Sequence, residues 1–292
     1  MVVSHVIGGL GNQMFQYAAG RAVSLERNQP LLLDISGFAG YGLHQGFELQ
    51  HVFNCNAEIA IEGDLRRILG WQFSGSIMRV LSRPTMAMFR REGFVVEPRF
   101  NYWPGIKRAP QDSYLVGYWQ SEKYFEDVES IIRADFTFKF PLSNKNAELA
   151  EHIGQVNSVS LHVRRGDYAK DLKTTATHGL CSPDYYRAAI QLVSDRIVQP
   201  FFFIFSDDIS WAKENIKTNF PCRFVDHNQG AESYNDMHLM SLCQHHIIAN
   251  SSFSWWGAWL NSRPEKIVVA PQKWFANNND ISDLFPESWV SL

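Results

Sequence analysis

The chain has 292 residues, 45% hydrophobic and 14% aromatic, enough to bury one large core or two modest ones. Its net charge of −3 provides no electrostatic footprint for nucleic acid. Cys55, Cys181, Cys222 and Cys243 are scattered without a Cys-x-x-Cys pair, which argues against a zinc site or a disulfide framework and for reduced thiols.

Residues 1–7 enter a glycine turn with no basic region or long apolar stretch before it, and no apolar run elsewhere reaches the roughly 18 residues of a spanning helix. A cytosolic protein without a transmembrane segment is expected. Residues 2–7 read as a strand, Gly8-Gly9-Leu10-Gly11-Asn12-Gln13-Met14 as a turn, 14–27 as a helix, and Leu31, Leu32 and Leu33 as a strand ending in Asp34. This βαβ opening imitates a dinucleotide fingerprint, with Asp34 as the ribose-binding acid. The imitation is incomplete, because Met14 stands where a third glycine would allow close helix packing. The preferred reading is a turn that carries the Asn12 and Gln13 side chains to a ligand cleft, with Gly9 and Gly11 shaping its backbone.

Residues 37–110 are mixed and yield no order beyond a helical stretch over 65–81. From about residue 148 the pattern becomes regular: a strand at 159–163, a helix at 183–197, strands at 201–205 and 224–225, a helix at 235–243, and strands at 246–249 and 267–270. Strands alternating with helices imply a parallel sheet. The expected organisation is α/β, with a domain at 1–148 and a second at 149–292.

Two segments of the second half carry chemistry. Arg164 and Arg165, after the apolar strand and His162, supply permanently charged donor forks suited to phosphate, at the strand end where open α/β sheets hold ligands. A surface ion pair from Arg165 to Asp167 is the plainer alternative. Asn250, Ser251, Ser252 and Ser254 lie where free amides of a following helix would face an anion, although one serine there is also an ordinary N-cap. The glycosylation pattern Asn250-Ser251-Ser252 is read as accidental. Asp207 and Asp208 are adjacent rather than alternating, and His245 and His246 point to opposite sides of a strand, so neither pair predicts a metal. Nine tryptophans suit sugar rings or core packing, with a slight preference for the former.

The blocks Gly-Gly-Leu-Gly-Asn-Gln-Met at 8–14, His-Val-Arg-Arg-Gly-Asp-Tyr at 162–168 and Asn-Ser-Ser-Phe-Ser-Trp-Trp-Gly-Ala-Trp-Leu at 250–260 occur together, in that order. In this the chain resembles the bacterial α-1,2-fucosyltransferases of glycosyltransferase family 11, relatives of the blood-group H enzymes. The middle block alone is shared with α-1,6- and protein-O-fucosyltransferases.

The resemblance implies a GT-B-type fold, two Rossmann-like domains facing a cleft, with acceptor contacts on the first and GDP-fucose on the second. It implies inverting transfer of fucose to the 2-hydroxyl of a terminal β-galactose in an O-antigen-type or lactose-like oligosaccharide, without metal or other cofactor. Peripheral membrane association through a lipid-linked acceptor would fit. Arg164 and Arg165, with the amides near 251–254, would stabilise the departing diphosphate. His162 and Asp236 would approach guanine, their plainer alternatives being a satisfied strand-end histidine and a helix N-cap. Asp167 would orient the arginines. Asp171 is the first choice for the base that takes the acceptor proton, with His178, or acceptor positioning by Asn12 or Gln13 without a strong base, as alternatives. The other functional readings are a fucosyltransferase of another linkage and a non-catalytic sugar-nucleotide-binding protein.

Overall fold

The computed structural model describes residues 1–292 apart from Tyr41, Leu43, 167–178 and Asn278. The chain divides into two compact units, Met1–Lys139 with Asp280–Leu284, and Phe140–Asn279 with Phe285–Leu292. Residue 148, where the sequence suggests a boundary, lies inside the helix Asn144–Gln155, whose Leu149 and Ile153 are buried in the second unit's core. The chain therefore changes unit before that helix begins.

The first unit opens with β1 (Val2–His5), α1 (Leu10–Arg27) and β2 (Leu31–Asp34), as the patterning predicts. It continues through α2 (Leu49–Val52), β3 (Glu58–Ile59), α3 (Glu62–Leu69), α4 (Gly75–Leu81), β4 (Phe94–Val96), β5 (Ser113–Val116) and α5 (Glu129–Asp135). The five strands pair in parallel in the order β3-β2-β1-β5-β4. The single helical stretch expected over 65–81 is two helices separated by a tighter turn at Gly70–Gln72. Leu65, Ile68, Leu69 and Leu81 pack with Val3, Leu32, Phe94, Val96 and Tyr114 of the sheet. The close helix–strand approach missing at Met14 occurs at Gly20, where an added Cβ would stand 3.0 Å from Ser4 Cβ and Leu31 Cδ1.

The second unit runs α6 (Asn144–Gln155), β6 (Asn157–Val163), α7 (Pro183–Ser194), β7 (Pro200–Ser206), α8 (Ile209–Asn215), β8 (Cys222–Val225), α9 (Tyr234–Leu242), β9 (His245–Ile247), α10 (Ser252–Leu260), β10 (Val268–Ala270) and β11 (Val290–Ser291). Its six strands are parallel, in the order β11-β10-β9-β6-β7-β8. Strand β7 is apolar on both faces, as parallel sheets covered on both sides require. Val159, Leu161, Val163, Phe202 and Ile204 meet Tyr186, Ala189, Ile190 and Val193 of α7. Phe203 and Phe205 face the other way, against Leu149, Ile153, Leu239 and Met240. By the same alternation β6 turns Ser158, Ser160 and His162 away from α7. Trp255, Trp256, Trp259, Trp274 and Trp289 are all buried, so most of the tryptophan content is core mass rather than sugar platform. The four cysteines are free thiols.

Each sheet has one place where strand order reverses: β1 lies between β2 and β5, and β6 lies between β7 and β9. Open α/β sheets form their ligand crevices outside the carboxyl ends of the strands at such reversals.

Candidate active site

In the second unit the reversal brings together the two chemical segments read from the sequence. β6 delivers His162, Arg164 and Arg165, while β9 leads through Asn250 to the amino end of α10. Arg164 Nη1 lies 2.9 Å from Asp207 Oδ2, and the Arg165 backbone N–H donates to Asp207 Oδ1 at 2.8 Å. The Arg165 guanidinium carbon sits 4.0 Å from the centroid of the Trp211 ring, a cation–π arrangement, with its Nε 3.8 Å from Asp208 Oδ2. Asp208 also accepts from Trp211 N–H at 3.1 Å, capping α8. The two aspartates after β7 thus orient the arginines, a role the sequence suggests for Asp167. Asp167, Asp171 and His178 lie outside the described residues, as does any pairing of Arg165 with Asp167.

His162 is buried, and its ring centroid lies 5.9 Å from that of Phe253 in α10. Burial, with Arg164 nearby, pushes its pKa down to about 3, so the ring is neutral. Its Nδ1 and the Arg165 Nε are buried and have no hydrogen-bond partner among the described residues. Two such atoms beside the strand-order reversal make it a candidate ligand position.

Asp236 is in the first turn of α9, but the cap position is Ser233, so the plain N-cap reading fails. Its Oδ1 accepts from Asn228 Nδ2 at 2.7 Å. Asn228 and Asn146 exchange amide hydrogen bonds at 2.9 and 3.0 Å, and Asn146 Oδ1 also pairs with His227 Nε2 at 2.8 Å. Burial raises the Asp236 pKa to about 7, and the Asn228 bond opposes that rise. Nothing in the sequence signalled Asn146 or Asn228, because the pair is joined only by the docking of α6 beside the strand that precedes α9.

Ser251 is the N-cap residue of α10, although its side chain makes no capping bond. Ser252 begins the helix, and the Ser254 hydroxyl turns inward to the Ser251 carbonyl at 3.2 Å. The amides of the first turn have no intrahelical acceptor by the geometry of any helix start, which leaves them available to an anion. Asn250 is buried and braces the loop: Nδ2 donates to Gly179 O at 3.4 Å and Trp274 O at 3.3 Å, and Oδ1 accepts from the Cys181 thiol at 3.4 Å.

In the first unit the glycine turn separates two residues that the sequence grouped. Gly8 has φ +88°, and Gly9 precedes α1, with Gly11 buried in its first turn. Gln13 is fully buried; Nε2 donates to Gly8 O at 2.8 Å and Gly46 O at 2.7 Å, and Oε1 accepts from Glu48 N–H at 2.9 Å. Its hydrogen-bonding capacity is spent on the fold, so it is not a ligand contact. Asn12 stays partly exposed, and its Oδ1 accepts from Gln120 Nε2 at 2.8 Å, which identifies its nitrogen as the donor end.

At the end of β4, Glu97 accepts from the Tyr118 and Trp119 backbone N–H groups at 2.7 and 3.1 Å. Burial holds its pKa up at about 7. This carboxylate sits in the stretch the sequence left unordered. The dinucleotide alternative loses its acid: Asp34 is buried, accepting from Tyr114 OH at 2.6 Å and Ser36 N–H at 2.9 Å.

His245 and His246 serve the fold. His246 Nδ1 pairs with Ser160 Oγ at 2.8 Å and its Nε2 with Asn261 at 2.8 Å, while His245 Nδ1 accepts from Ile267 N–H at 3.1 Å. Among the described residues no three His, Cys, Asp or Glu side chains gather as a metal ion would require, and no helix is long and apolar enough to cross a membrane.

Residues 106–292 match the model of Glycosyl transferase family 11. An alpha-1,2-colitosyltransferase of Escherichia coli is 38% identical over 100% of this chain and 99% of its own length. The O-antigen biosynthesis glycosyltransferase WbnK of Escherichia coli is 36% identical over 98% of both chains. A more distant relative, galactoside 2-alpha-L-fucosyltransferase SEC1 of Bos taurus, is 28% identical over 50% of this chain and 41% of its own. Among solved structures, fucosyltransferase NodZ from Bradyrhizobium superposes with a TM-score of 0.51 over 88% of this chain and 92% of that one, at 12% identity. With a family match over most of its length and full-length relatives above 30% identity, the chain is a fucosyltransferase-like glycosyltransferase of α/β, GT-B-type fold and belongs to glycosyl transferase family 11.

Proposed function

We propose that the protein transfers L-fucose from GDP-β-L-fucose to the 2-hydroxyl of a terminal β-galactose, with inversion and without a metal, on an O-antigen-type or lactose-like acceptor in the cytosol. The observation that carries this reading is the β6–β9 reversal, where Arg164, Arg165 and the amino end of α10 converge beside His162. A diphosphate there meets fixed cations and helix amides, which stabilise the charge that develops as the bond from the sugar C1 to the β-phosphate oxygen breaks. The acceptor oxygen attacks C1 from the opposite face, which inverts the β-linked donor to an α-linked product, and its proton passes to a base. Asp171 remains the proposed base.

Asp236, ionised, accepts from the N1–H and 2-amino group of guanine, donors that uracil and adenine do not offer together. Neutral His162 offers its unpaired Nδ1 to the donor. Metal independence is supported by the engagement of Asp207 and Asp208 with the two arginines. On the first unit, Asn12 supplies an amide donor for the acceptor, fixed by Gln120. The name of the colitosyl relative favours one other donor sugar, colitose, the 3-deoxy form of fucose.

The test is GDP release from GDP-fucose and lactose in EDTA, with the product linkage read by NMR. An α-1,2-linked fucosyl-lactose formed despite EDTA supports the proposal. Turnover only with the 3-deoxy donor assigns the colitosyl reading, and failure to bind any GDP-sugar overturns both.

A further inference from the structure

Residues 61–91 hold six arginines and two acids, a charge of +4; since the chain totals −3, the rest carries −7. Arg66 and Arg67 are matched by Glu62 at 2.6 Å and Asp112 at 3.1 Å. Arg79, Arg83 and Arg91 are exposed and have no ion pair among the described residues.

Between these cations stand apolar side chains that a folded domain would ordinarily bury: Trp71 is 68% exposed, Met88 82%, Phe89 57% and Val80 42%. They come from three short elements joined to one another by hydrogen bonds. Gln72 Nε2 donates to Phe89 O at 2.7 Å and its Oε1 accepts from Arg91 N–H at 3.0 Å, joining the turn of Trp71 to the segment of Phe89. Arg90 donates to the carbonyls of Leu81 at 2.7 Å and Arg83 at 2.9 Å, joining the end of α4 to the same segment.

Clustered exposed apolar side chains mark an interaction site. Aromatic and methionine tips rimmed by unpaired arginines match one surface in particular, a bilayer interface whose acyl boundary takes the tips and whose anionic phosphates meet the guanidiniums. A second copy fits poorly, because two-fold pairing of this face would set arginine against arginine. We propose that Trp71, Val80, Met88 and Phe89, with Arg79, Arg83 and Arg91, form a docking face for an anionic lipid bilayer. This face would hold the enzyme at a membrane whether or not its acceptor is lipid-linked, and it does not depend on the donor assigned above.

Co-sedimentation with vesicles tests this directly, using phosphatidylcholine alone and equal parts phosphatidylglycerol and phosphatidylethanolamine. Binding to the anionic vesicles only, weakened by salt, is expected. Each arginine removed should weaken it about fivefold, so Arg79→Ser, Arg83→Ser and Arg91→Ser together cost on the order of a hundredfold. Met88→Ser with Phe89→Ser should also reduce binding, and melting temperatures equal to the parent's establish that the variants are folded. Failure to bind anionic vesicles, or binding indifferent to the triple variant, overturns the proposal. A dimer in solution that is lost in Phe89→Ser, without lipid binding, would overturn it too and assign the face to a second copy.

Discussion

The turn after β1 and the loop after β6 hold the same position in their sheets, each at the strand where the order reverses, yet their polar groups are used differently. After β1, Gln13 is fully engaged by the surrounding backbone, as is Asp34 at the end of the neighbouring β2 by Tyr114 and Ser36. After β6, His162 Nδ1 and Arg165 Nε are buried without hydrogen-bond partners among the described residues. Buried polar atoms without such partners also occur in the first unit, at His5 Nδ1, Trp119 Nε1 and Gln120 Oε1, but after β6 they accompany two adjacent arginines beside a helix start. Two loops with equally suggestive sequences thus differ: in one Gln13 is consumed by the fold, and in the other two arginines held by Asp207 and Asp208 lie beside a helix start.

Arg164→Ala probes that contrast most severely. Loss of a preorganised charge from the diphosphate position should cost about 3–4 kcal/mol in the transition state, a hundredfold or more in kcat, with thermal stability near that of the parent. GDP-release kinetics beside a melting curve would measure both, and unchanged turnover would remove the second-unit loop from the chemistry.

Gln13→Ala should do the reverse. Three backbone groups, two of them buried, lose their partner, so about 3 kcal/mol of stability should disappear in denaturant titrations. Asn12→Ala, one residue away, should leave stability within about 1 kcal/mol and lower turnover instead. Equal melting behaviour for the two variants would erase the distinction drawn between them.

Asp236 sharpens the comparison through pH. With its pKa raised to about 7, the free enzyme holds this carboxyl protonated below that value, and guanine needs it ionised. GDP affinity should therefore rise as pH increases through about 7, and calorimetry on Asp236→Asn should show the dependence flattened. For stability the sign is opposite. The unfolded chain ionises first, so this group's contribution is full below the ordinary aspartate range, near pH 4, and declines as pH rises toward about 7.

A smaller loss of stability than that of Gln13→Ala belongs to Gly8→Ala. A left-handed φ of +88° and an added Cβ 2.9 Å from Asn12 Nδ2 should together cost on the order of 1–2 kcal/mol in an unfolding titration. A neutral result would mean that the turn has room to adjust.

Much of the second unit could be read before folding because its signals are local. The run at 201–205 is apolar on both faces, as a covered parallel strand must be, that at 159–163 alternates Val159, Leu161 and Val163 with Ser160 and His162, and the β6 and β7 spans agree with them. The segment from 37 to 110 could not be ordered, since it holds strands of two and three residues and helices of four to eight, too short for periodicity to register. Glu97 was invisible for that reason. Its importance lies in the Tyr118 and Trp119 amides that meet it from the end of the neighbouring strand.

By itself, then, the sequence determined the chemistry on offer: two adjacent arginines at a strand end, serines at a helix start, a glycine turn and the family these belong to, all set by residues within a few positions of each other. Tertiary structure decided which of those groups remain available. Asp207 orients Arg164 from 43 positions away, Asn146 reaches Asn228 and so Asp236 across 82, and Gln13 is claimed by Gly46 and Glu48. Hydrogen bonds and burial between distant segments set both the free valences and the pKa of a side chain, and no local pattern encodes which segments will meet.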